Sequence, residues 1–302
     1  MHAAPSNGAA LQAAAVAVCA VEIMHLWCKK NARSYMGRAF FLAAIWLAAA
    51  TATAEQSSCW LSPALSSELH RGIIERVIDG DTVALQSGEK IRLLGINTPE
   101  LTPRSADSSG AEPLAVAAQQ ALQALVASSG GVVYYRLGGQ PRDRYQRLLA
   151  DLYSAAGESI AAHLLERGLG WQVAFVGNDQ LASCLRAAEQ RARSGRLGLW
   201  AGGLYPPLPA SAVATGGFAR IIGRVSVEKL RADSSGAVVG AATLVLDQTL
   251  LVKLPRKVAQ SYRAAQLQAL DGRRVELRGW VSRRAGQWQL QLTSPFNMQA
   301  ID

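Results

Sequence analysis

Short runs of alternating apolar and polar residues, separated by glycines, constrain the fold of this chain more than any other feature. Gly80 and Gly88 mark turns within one such stretch, residues 71–97. Its apolar positions include Val77, Val83, Leu85, Ile91 and Leu93. A period of two is typical of β-strands with one buried face, and glycine is typical of the turns between them. The stretch therefore predicts several short strands joined by turns.

Segments with helical spacing follow these strands. Residues 112–127 are rich in Ala, Leu and Gln, and residues 159–167 and 180–193 have apolar faces at helical spacing. Two further strands are predicted at 132–136 and 148–153, with a loop at Gly138, Gly139 and Pro141 after the first of them. Many short strands followed by helices predict an α+β fold, mainly β with helices, built on a small barrel.

A second region of strands lies near the C-terminus. Residues 202–217 contain three prolines together with Gly, Ala and Ser, which predicts a linker. Strand-like runs then return within 218–302, and a helix around 258–270 interrupts them. The chain has 302 residues, which is enough for about two domains. We therefore expect a second small β-barrel domain, similar to an OB-fold module, at 218–302.

The first 54 residues resemble a targeting segment. Basic residues up to Arg38 precede an apolar run at 39–54, which ends in the small-x-small sequence Ala52-Thr53-Ala54. We expect a signal peptide at 36–54, and hence a periplasmic or secreted protein with no stable membrane association after cleavage. Residues 1–35 are either a mis-assigned start, with translation beginning at Met36, or a segment that contains a membrane anchor.

Composition and charge narrow the class of protein. Half of the residues are hydrophobic, which excludes general disorder. The net charge is +9, and residues 216–302 carry thirteen Lys and Arg against six Asp and Glu. Residues 55–215 carry fourteen against fifteen. The basic surplus lies in the C-terminal region and favours a polyanionic partner there.

Four cysteines are present, and none of them forms a C-x-x-C pair. A thiolate zinc site is therefore excluded in practice. Cleavage of the signal peptide would leave Cys59 and Cys184. In an oxidising compartment these two residues either form a disulfide or remain separate thiols, and the sequence leaves both open.

Acidic residues and an arginine share the strand-like segment 76–100. Asp79-Gly80-Asp81 begins it, Arg92 lies on a later strand, and Asn97-Thr98-Pro99-Glu100 ends it. Carboxylate and amide oxygens bind hard cations, and a guanidinium matches two phosphate oxygens at once. An isolated Asp-Gly-Asp is more often a solvated turn. The combination is typical of a metal-assisted phosphodiesterase.

These residues resemble the signature of the staphylococcal nuclease (thermonuclease) family. A second block, Asp143-Arg144-Tyr145-Gln146-Arg147, resembles the Asp-x-Tyr-x-Arg segment of that family, and residues 158–176 and 187–200 resemble its later helices. The resemblance covers roughly residues 70 to 200. It implies an SNase-like nuclease domain at 70–201 with an OB-type five-stranded barrel and three helices.

The resemblance also implies roles for individual residues. Calcium would be bound by Asp81, by the side chain of Asn97 and by the carbonyl of Thr98. The best-known family member has Asp where this chain has Asn97, so we expect weaker calcium binding or a preference for another divalent cation. The remaining roles are phosphate binding by Arg92 and Arg147, general base catalysis by Glu100, support of the site by Asp79 and Asp143, and substrate contact by Arg144 and Tyr145.

The implied activity is hydrolysis of single-stranded or denatured DNA or RNA to products that end in 3′-phosphate. In the second domain, Trp280 could stack on bases while Arg283 and Arg284 follow the backbone. The alternative is that this Trp belongs to the core and the arginines to a solvated face. Two other classes stay open, namely a catalytically silent nucleic-acid-binding protein and an envelope scaffold. The sequence predicts no protein partner.

Overall fold

The computed structural model describes residues 59–61, 68–102 and 110–301. The predicted leader at 1–35 and signal peptide at 36–54 lie outside these residues. The described residues belong to one structural unit that contains two closed β-barrels. The predicted α+β class is therefore confirmed. No helix in the described part of the chain is both long enough and apolar enough to cross a membrane.

The first barrel is closed by five strands. They are β1 (His70–Asp79), β2 (Thr82–Leu85), β3 (Lys90–Leu93), β5 (Val132–Arg142) and β6 (Leu148–Tyr153). Their order is β1-β2-β3-β6-β5, in which β3 and β6 run parallel and the other pairs antiparallel. Because Val83, Leu85, Ile91 and Leu93 are all buried in this barrel, the alternation seen in the sequence marks its core face.

Three helices surround the first barrel, namely α1 (Ala115–Ser128), α2 (Ile160–Glu166) and α3 (Ala182–Ser194). They confirm the predicted helices to within three residues at each end. A short ribbon of β4 (Ile96–Asn97) and β7 (Trp171–Gln172) lies beside them. A disulfide between Cys59 and Cys184 joins the chain before β1 to helix α3.

The predicted loop at 138–141 is wrong, because strand β5 continues through it to Arg142. At this point the strand passes very close to the loop that holds Asn178. A Cβ on Gly138 would lie 2.5 Å from the Asn178 side-chain oxygen, and one on Gly139 would lie 2.7 Å from the Gly177 carbonyl oxygen. The two glycines therefore allow the Asn178 loop to approach strand β5 closely without interrupting the strand.

The second barrel repeats the topology of the first. Its strands are β9 (Gly217–Lys229), β10 (Ala242–Leu246), β11 (Leu250–Leu254), β12 (Arg274–Arg284) and β13 (Gln287–Gln291). They follow the order β9-β10-β11-β13-β12, β12 pairs with β9 to close the barrel, and β11 and β13 run parallel. This is the strand order of the first barrel, and the predicted second small β-barrel is confirmed. Two short strands, β8 (Leu208–Pro209) and β14 (Met298–Ala300), extend the sheet.

Two details of the second barrel differ from the prediction. Strand β11 was not predicted; it follows β10 through a tight turn in which Asp247 and Gln248 adopt positive φ angles of 46° and 58°. The single helix expected at 258–270 is wrong, because two short helices, α4 (Arg256–Ala259) and α5 (Ala264–Gln268), take its place. Between them Arg263 is extended and pairs with Ala237, which interrupts the helical backbone.

A buried group of ion pairs joins the two barrels. Nη1 of Arg278 on β12 lies 2.7 and 2.8 Å from the two carboxylate oxygens of Glu189 on α3, and it also donates to the Gln172 carbonyl at 2.9 Å. The side chains of both charged residues are less than a tenth exposed. Because a buried charge is tolerated only when it is paired, these contacts hold the barrels in one arrangement.

Glu276 is the second acid of this buried group. Its carboxylate accepts two hydrogen bonds from Arg220, at 2.8 and 3.0 Å, and one from Arg193 at 2.5 Å. Burial alone would raise the pKa of Glu276, but the hydrogen bonds and charges of Arg220, Arg193 and Arg278 outweigh it and lower the pKa to about 2. The acid therefore stays ionised at neutral pH.

The segment 202–217 between the barrels is packed against both of them. The Tyr205 hydroxyl donates to the Pro113 carbonyl at 2.9 Å, and the Tyr205 carbonyl accepts from Arg220 at 3.1 Å. Strand β8 pairs with β9 in parallel register. These contacts add to the ion pairs that join the barrels.

Candidate functional site

The turn between β1 and β2 places Asp81 in the floor of a cleft. This side chain is almost completely buried, and three donors hold its carboxylate. Oδ2 accepts from the Thr98 amide at 3.0 Å and lies 2.9 Å from Nη2 of Arg92, while Oδ1 accepts from the Thr82 hydroxyl at 3.0 Å. The turn thereby fixes the orientation of the Asp81 side chain beside the end of β4.

Gly80 allows this turn to lie against both β4 and helix α1. A Cβ at this position would stand 2.6 Å from the Ala118 Cβ and 2.7 Å from the Thr98 hydroxyl oxygen. Only glycine leaves room for this approach. The glycine of the Asp-Gly-Asp run therefore sets the distance between the acids and the Asn97-Thr98 segment.

Arg92 on β3 is held by four hydrogen-bond partners. Nη1 donates to the carbonyls of Leu93 and Ile96, at 2.7 and 2.8 Å. Nη2 lies between Oδ2 of Asp81, at 2.9 Å, and Oδ1 of Asn97, at 3.1 Å. A guanidinium with so many fixed partners is preorganised, and its position is set by the β3–β4 turn and by the acid.

Arg147 contacts Thr82, the residue that follows Asp81. Its Nη1 lies 3.4 Å from the Thr82 hydroxyl oxygen, and its Nε donates to Asp143 at 2.7 Å. Asp143 also accepts from the amides of Tyr145 and Arg147, at 2.8 and 3.0 Å, so one carboxylate shapes the turn between β5 and β6. Burial raises the pKa of Asp143, but the hydrogen bonds from Arg147 outweigh burial and lower it.

Arg144 and Tyr145 lie at the rim of the cleft. Tyr145 is about half exposed, at 52%. Arg144 donates to the Tyr145 hydroxyl at 2.6 Å, and its guanidinium lies 4.7 Å from the centre of the ring. The pair presents a positive charge and an aromatic face to solvent.

Glu100 and Asp79 lie together on the acidic side of the cleft. The Glu100 amide donates to Glu112 at 2.9 Å, and the Glu100 side chain forms a hydrogen bond with Asp79. Burial, and to a lesser degree the charge of Asp81, raises the pKa of Asp79; bonds from Gly80 and Glu100 offset part of this rise. Five acidic residues thus line one cleft: Asp79, Asp81, Glu100, Glu112 and Asp143.

The oxygens predicted to hold calcium have the chemistry of a hard-cation site. Asp81 supplies a carboxylate, Asn97 an amide oxygen and Thr98 the predicted backbone carbonyl. The buried Thr98 hydroxyl oxygen, which was not a predicted ligand, has no hydrogen-bond partner among the described residues. Such oxygens suit calcium or magnesium better than zinc. Within the described residues, no three His, Cys, Asp or Glu side chains cluster closely enough to hold a metal. The predicted ligands could therefore hold a hard cation, but they offer it only one carboxylate, that of Asp81.

The predicted site in the second domain is divided by the fold. Trp280 is 40% exposed and lines the cleft. Arg283 lies over Trp288, with 5.6 Å between its guanidinium and the ring centre, and neither it nor Arg284 belongs to the cleft lining. The structure thus brings one of the three predicted residues to the acids and arginines.

The cleft has a volume of about 1070 Å³ and runs between the barrels. Its lining includes the acids and the two arginines. It also includes aromatic residues that the sequence did not predict, namely Trp171, Phe175, Tyr205 and Phe218. They are spread over 48 positions on separate elements, so no spacing in the sequence marks them as a group. Of these four residues, Phe218 is the one linked to a predicted site residue, because β9 pairs it with Trp280.

The closed barrel, its three helices and the arginines beside an acidic turn are the features that the resemblance to the staphylococcal nuclease family implies. Residues 90–202 match the model of the family described as staphylococcal nuclease homologue. This part of the chain is thus similar to that family. The match includes Arg92, Asn97, Glu100 and Arg147, whereas Asp79 and Asp81 precede it.

Curated relatives of this chain carry the name endonuclease. Endonuclease YhcR of Bacillus subtilis (strain 168) is 27% identical over 139 residues, which is 43% of this chain and 11% of that protein. Endonuclease YncB of the same organism is 35% identical over 132 residues, or 42% of this chain and 60% of that protein. An uncharacterized endonuclease of Escherichia coli O157:H7 is 28% identical over 141 residues, with 46% and 81% covered. The chain thus spans less than two thirds of the length of both Bacillus proteins.

Proposed function

We propose that this protein is a metal-dependent nuclease that hydrolyses phosphodiester bonds in DNA or RNA. One observation carries the proposal. Two guanidinium groups from separate elements meet at the adjacent residues Asp81 and Thr82. Arg92 on β3 lies 2.9 Å from the Asp81 carboxylate, and Arg147, just before β6, lies 3.4 Å from the Thr82 hydroxyl. These residues line a cleft that also contains Glu100.

The two arginines suit the charge that develops during phosphodiester hydrolysis. Attack on phosphorus places additional negative charge on the oxygens that take no part in bond breaking. Arg92 and Arg147 are oriented by Asp81 and Asp143, so they need little rearrangement to meet that charge. Donors that are aimed in advance at developing charge stabilise the transition state more than the ground state.

Glu100 is the proposed general base. It takes a proton from the attacking water, whose oxygen forms a bond to phosphorus as the bond to the 5′ oxygen breaks. The leaving 5′ oxygen takes a proton from solvent, and the other product keeps a 3′-phosphate. The bond from its backbone amide to Glu112 holds Glu100 at the acidic side of the cleft. A positioned base typically contributes about 10²- to 10⁴-fold to the rate.

Calcium, or another divalent cation, would be held by Asp81, by the Asn97 side chain and by Thr98. Such a cation supplies positive charge that neutralises the phosphate when bound. Nη2 of Arg92 already contacts both Asp81 and Asn97. A cation at these oxygens therefore competes with a guanidinium, which supports weak metal binding.

Single-stranded or denatured nucleic acid is the proposed substrate, and the periplasm or the extracellular space the proposed compartment. The names of the relatives support a nucleic-acid substrate, since they are called endonucleases. The disulfide between Cys59 and Cys184 supports an oxidising compartment.

The test is hydrolysis of denatured DNA and of RNA by the full chain with calcium, with magnesium and with a chelator, followed by analysis of the product ends. Cleavage that requires a divalent cation and leaves 3′-phosphates is the expected result. Cleavage that persists in chelator would contradict metal dependence. Binding without cleavage under all conditions would favour the silent nucleic-acid-binding protein instead.

A further inference from the structure

Five aromatic side chains form a continuous row in the lining of the cleft. The ring centres of Tyr205 and Trp171 are 5.0 Å apart, and those of Trp171 and Phe218 are 5.3 Å apart. Trp280 follows at 5.2 Å from Phe218, and Phe175 at 5.9 Å from Trp280. The row crosses from the first barrel to the second and back, so neither barrel forms it alone.

The members of this row differ in their exposure to solvent. Trp171 is only 5% exposed, whereas Trp280 and Phe175 are 40% and 38% exposed. Large aromatic side chains with this exposure, side by side in a cleft, leave apolar surface in contact with water. They form a platform on which a flat apolar ligand can stack.

Backbone and side-chain hydrogen bonds hold Phe175 beside Trp280. The Val176 amide donates to the Thr293 carbonyl at 2.8 Å. Asn297 accepts from the Ala174 amide at 2.9 Å and donates to the Ala174 carbonyl at 2.7 Å. Because both neighbours of Phe175 are bound to the second barrel, the platform is in place before any ligand arrives.

We propose that Trp280 and Phe175 form a base-stacking subsite that binds unpaired nucleobases of a single nucleic-acid strand beyond the bond that is cut. The subsite shares one cleft with Arg92, Arg147 and Glu100, so a strand bound at the arginines can continue onto the platform. This inference rests on the proposed nuclease function and deepens it. It assigns the second barrel a part of the substrate site.

The chemistry of the platform selects a single strand. Bases in a duplex are stacked on one another and have no free face, whereas unpaired bases can stack on aromatic side chains in a sequence-tolerant way. DNA and RNA share these base faces, so the platform serves both. The second barrel is also the part of the chain with the basic surplus, which favours a polyanion over a neutral apolar ligand.

The experiment measures binding of labelled oligothymidylates of two lengths. The shorter has about two nucleotides, and the longer has about ten, which lies within the range of known site sizes. The full chain carries Glu100→Gln throughout, so that cleavage does not disturb the measurement. Trp280→Leu and Phe175→Leu are introduced separately. Trp288→Leu is the matched control, because Trp288 lies on the neighbouring strand β13 and outside the cleft lining.

Trp280→Leu and Phe175→Leu are each expected to weaken binding of the longer strand by about 5- to 100-fold. The ratio of the affinities for the longer and the shorter strand is expected to fall by a similar factor. Trp280→Phe, which keeps an aromatic face, is expected to restore most of the affinity and so to separate stacking from folding. Unchanged binding of the longer strand in both leucine variants would overturn the proposal. An equal loss in Trp288→Leu would also overturn it.

The outcome is separate from that of the nuclease test. If the protein fails to cleave nucleic acid but loses long-strand affinity in the two platform variants, the subsite stands and the nuclease proposal fails. If it cleaves but the platform variants bind normally, the nuclease proposal stands and the subsite fails.

Discussion

Arg92 places one guanidinium nitrogen, Nη2, 3.1 Å from Oδ1 of Asn97 while the same nitrogen lies 2.9 Å from Oδ2 of Asp81. The arginine thus bridges the two side chains predicted to bind a cation. With an amide at position 97, the pair carries a single negative charge, and Arg92 already balances it. The competition between a fixed guanidinium and a metal ion follows from this one substitution.

Asn97→Asp is expected to strengthen calcium binding by about tenfold, because carboxylate count is a main determinant of calcium affinity. Isothermal titration with calcium measures the effect without reliance on catalysis. Asn97→Ala, which removes the oxygen, is expected to weaken binding. Equal affinities in the Asp and Ala variants would show that the position 97 side chain does not contact the cation.

Gly80→Ala is expected to lower the free energy of unfolding by about 1–3 kcal/mol, because the new methyl group would overlap Ala118 and Thr98. Chemical denaturation measures this change. The double variant Gly80→Ala, Ala118→Gly removes one of the two overlaps and is expected to recover part of the loss. A single variant as stable as the unmodified protein would mean that the turn can move away from helix α1.

The sequence predicted local elements well where one face of a strand or helix is buried. Strand β6, Leu148–Tyr153, was predicted to the residue. The acids and arginines of the nuclease-like motifs line one cleft, but Glu112, which lines it too, was not predicted. The continuation of β5 through Gly138 and Gly139 was missed because its cause, the approach of Asn178, lies 38 or more positions away in the chain. Paired glycines close to a proline normally indicate a turn, and here a tertiary contact overrides that local signal.

Contacts between the barrels could not be predicted for the same reason. Arg278 belongs to the C-terminal region whose basic surplus favoured a polyanionic partner, yet it is buried against Glu189, 89 positions earlier. The aromatic row likewise depends on how the barrels meet. Sequence patterns report burial along one element, whereas the pairing of two distant elements depends on the whole fold.

Glu276→Gln is expected to destabilise the protein by about 3 kcal/mol at neutral pH, because it leaves three buried arginines without this partner. The pKa of Glu276 is lowered from 4.5 to about 2, so the ionised acid stabilises the fold above pH 4.5, and this contribution is lost as the pH falls toward 2. Denaturation at several pH values measures the difference, which should shrink in acid.

Glu166→Gln is the matched control for this measurement. Glu166 forms an ion pair with Arg191 at 2.5 Å, but both side chains are more than 40% exposed. Replacement is expected to cost less than about 1 kcal/mol, as for other exposed pairs. Similar losses in the two variants would contradict the account of the buried ion pairs between the barrels.

The double variant Cys59→Ser, Cys184→Ser is expected to lose about 2–5 kcal/mol of stability, because the disulfide links residues 125 positions apart and restricts the unfolded chain. Thermal unfolding with and without reductant measures the loss. Reductant should lower the Tm of the unmodified protein and leave that of the double variant unchanged. A Tm of the unmodified protein that does not respond to reductant would indicate that the two thiols are not paired.

The central claim is that Glu100, Arg92 and Arg147 carry out phosphodiester hydrolysis. The most direct measurement is kcat/KM for denatured DNA in Glu100→Gln and Arg147→Ala, beside Glu89→Gln and Arg142→Ala. The control residues form an exposed ion pair outside the cleft lining, with 2.8 Å between Glu89 and Arg142. We expect losses of about 10²- to 10⁴-fold in the first two variants and near-normal rates in the controls. Full activity in Glu100→Gln and Arg147→Ala would contradict the account.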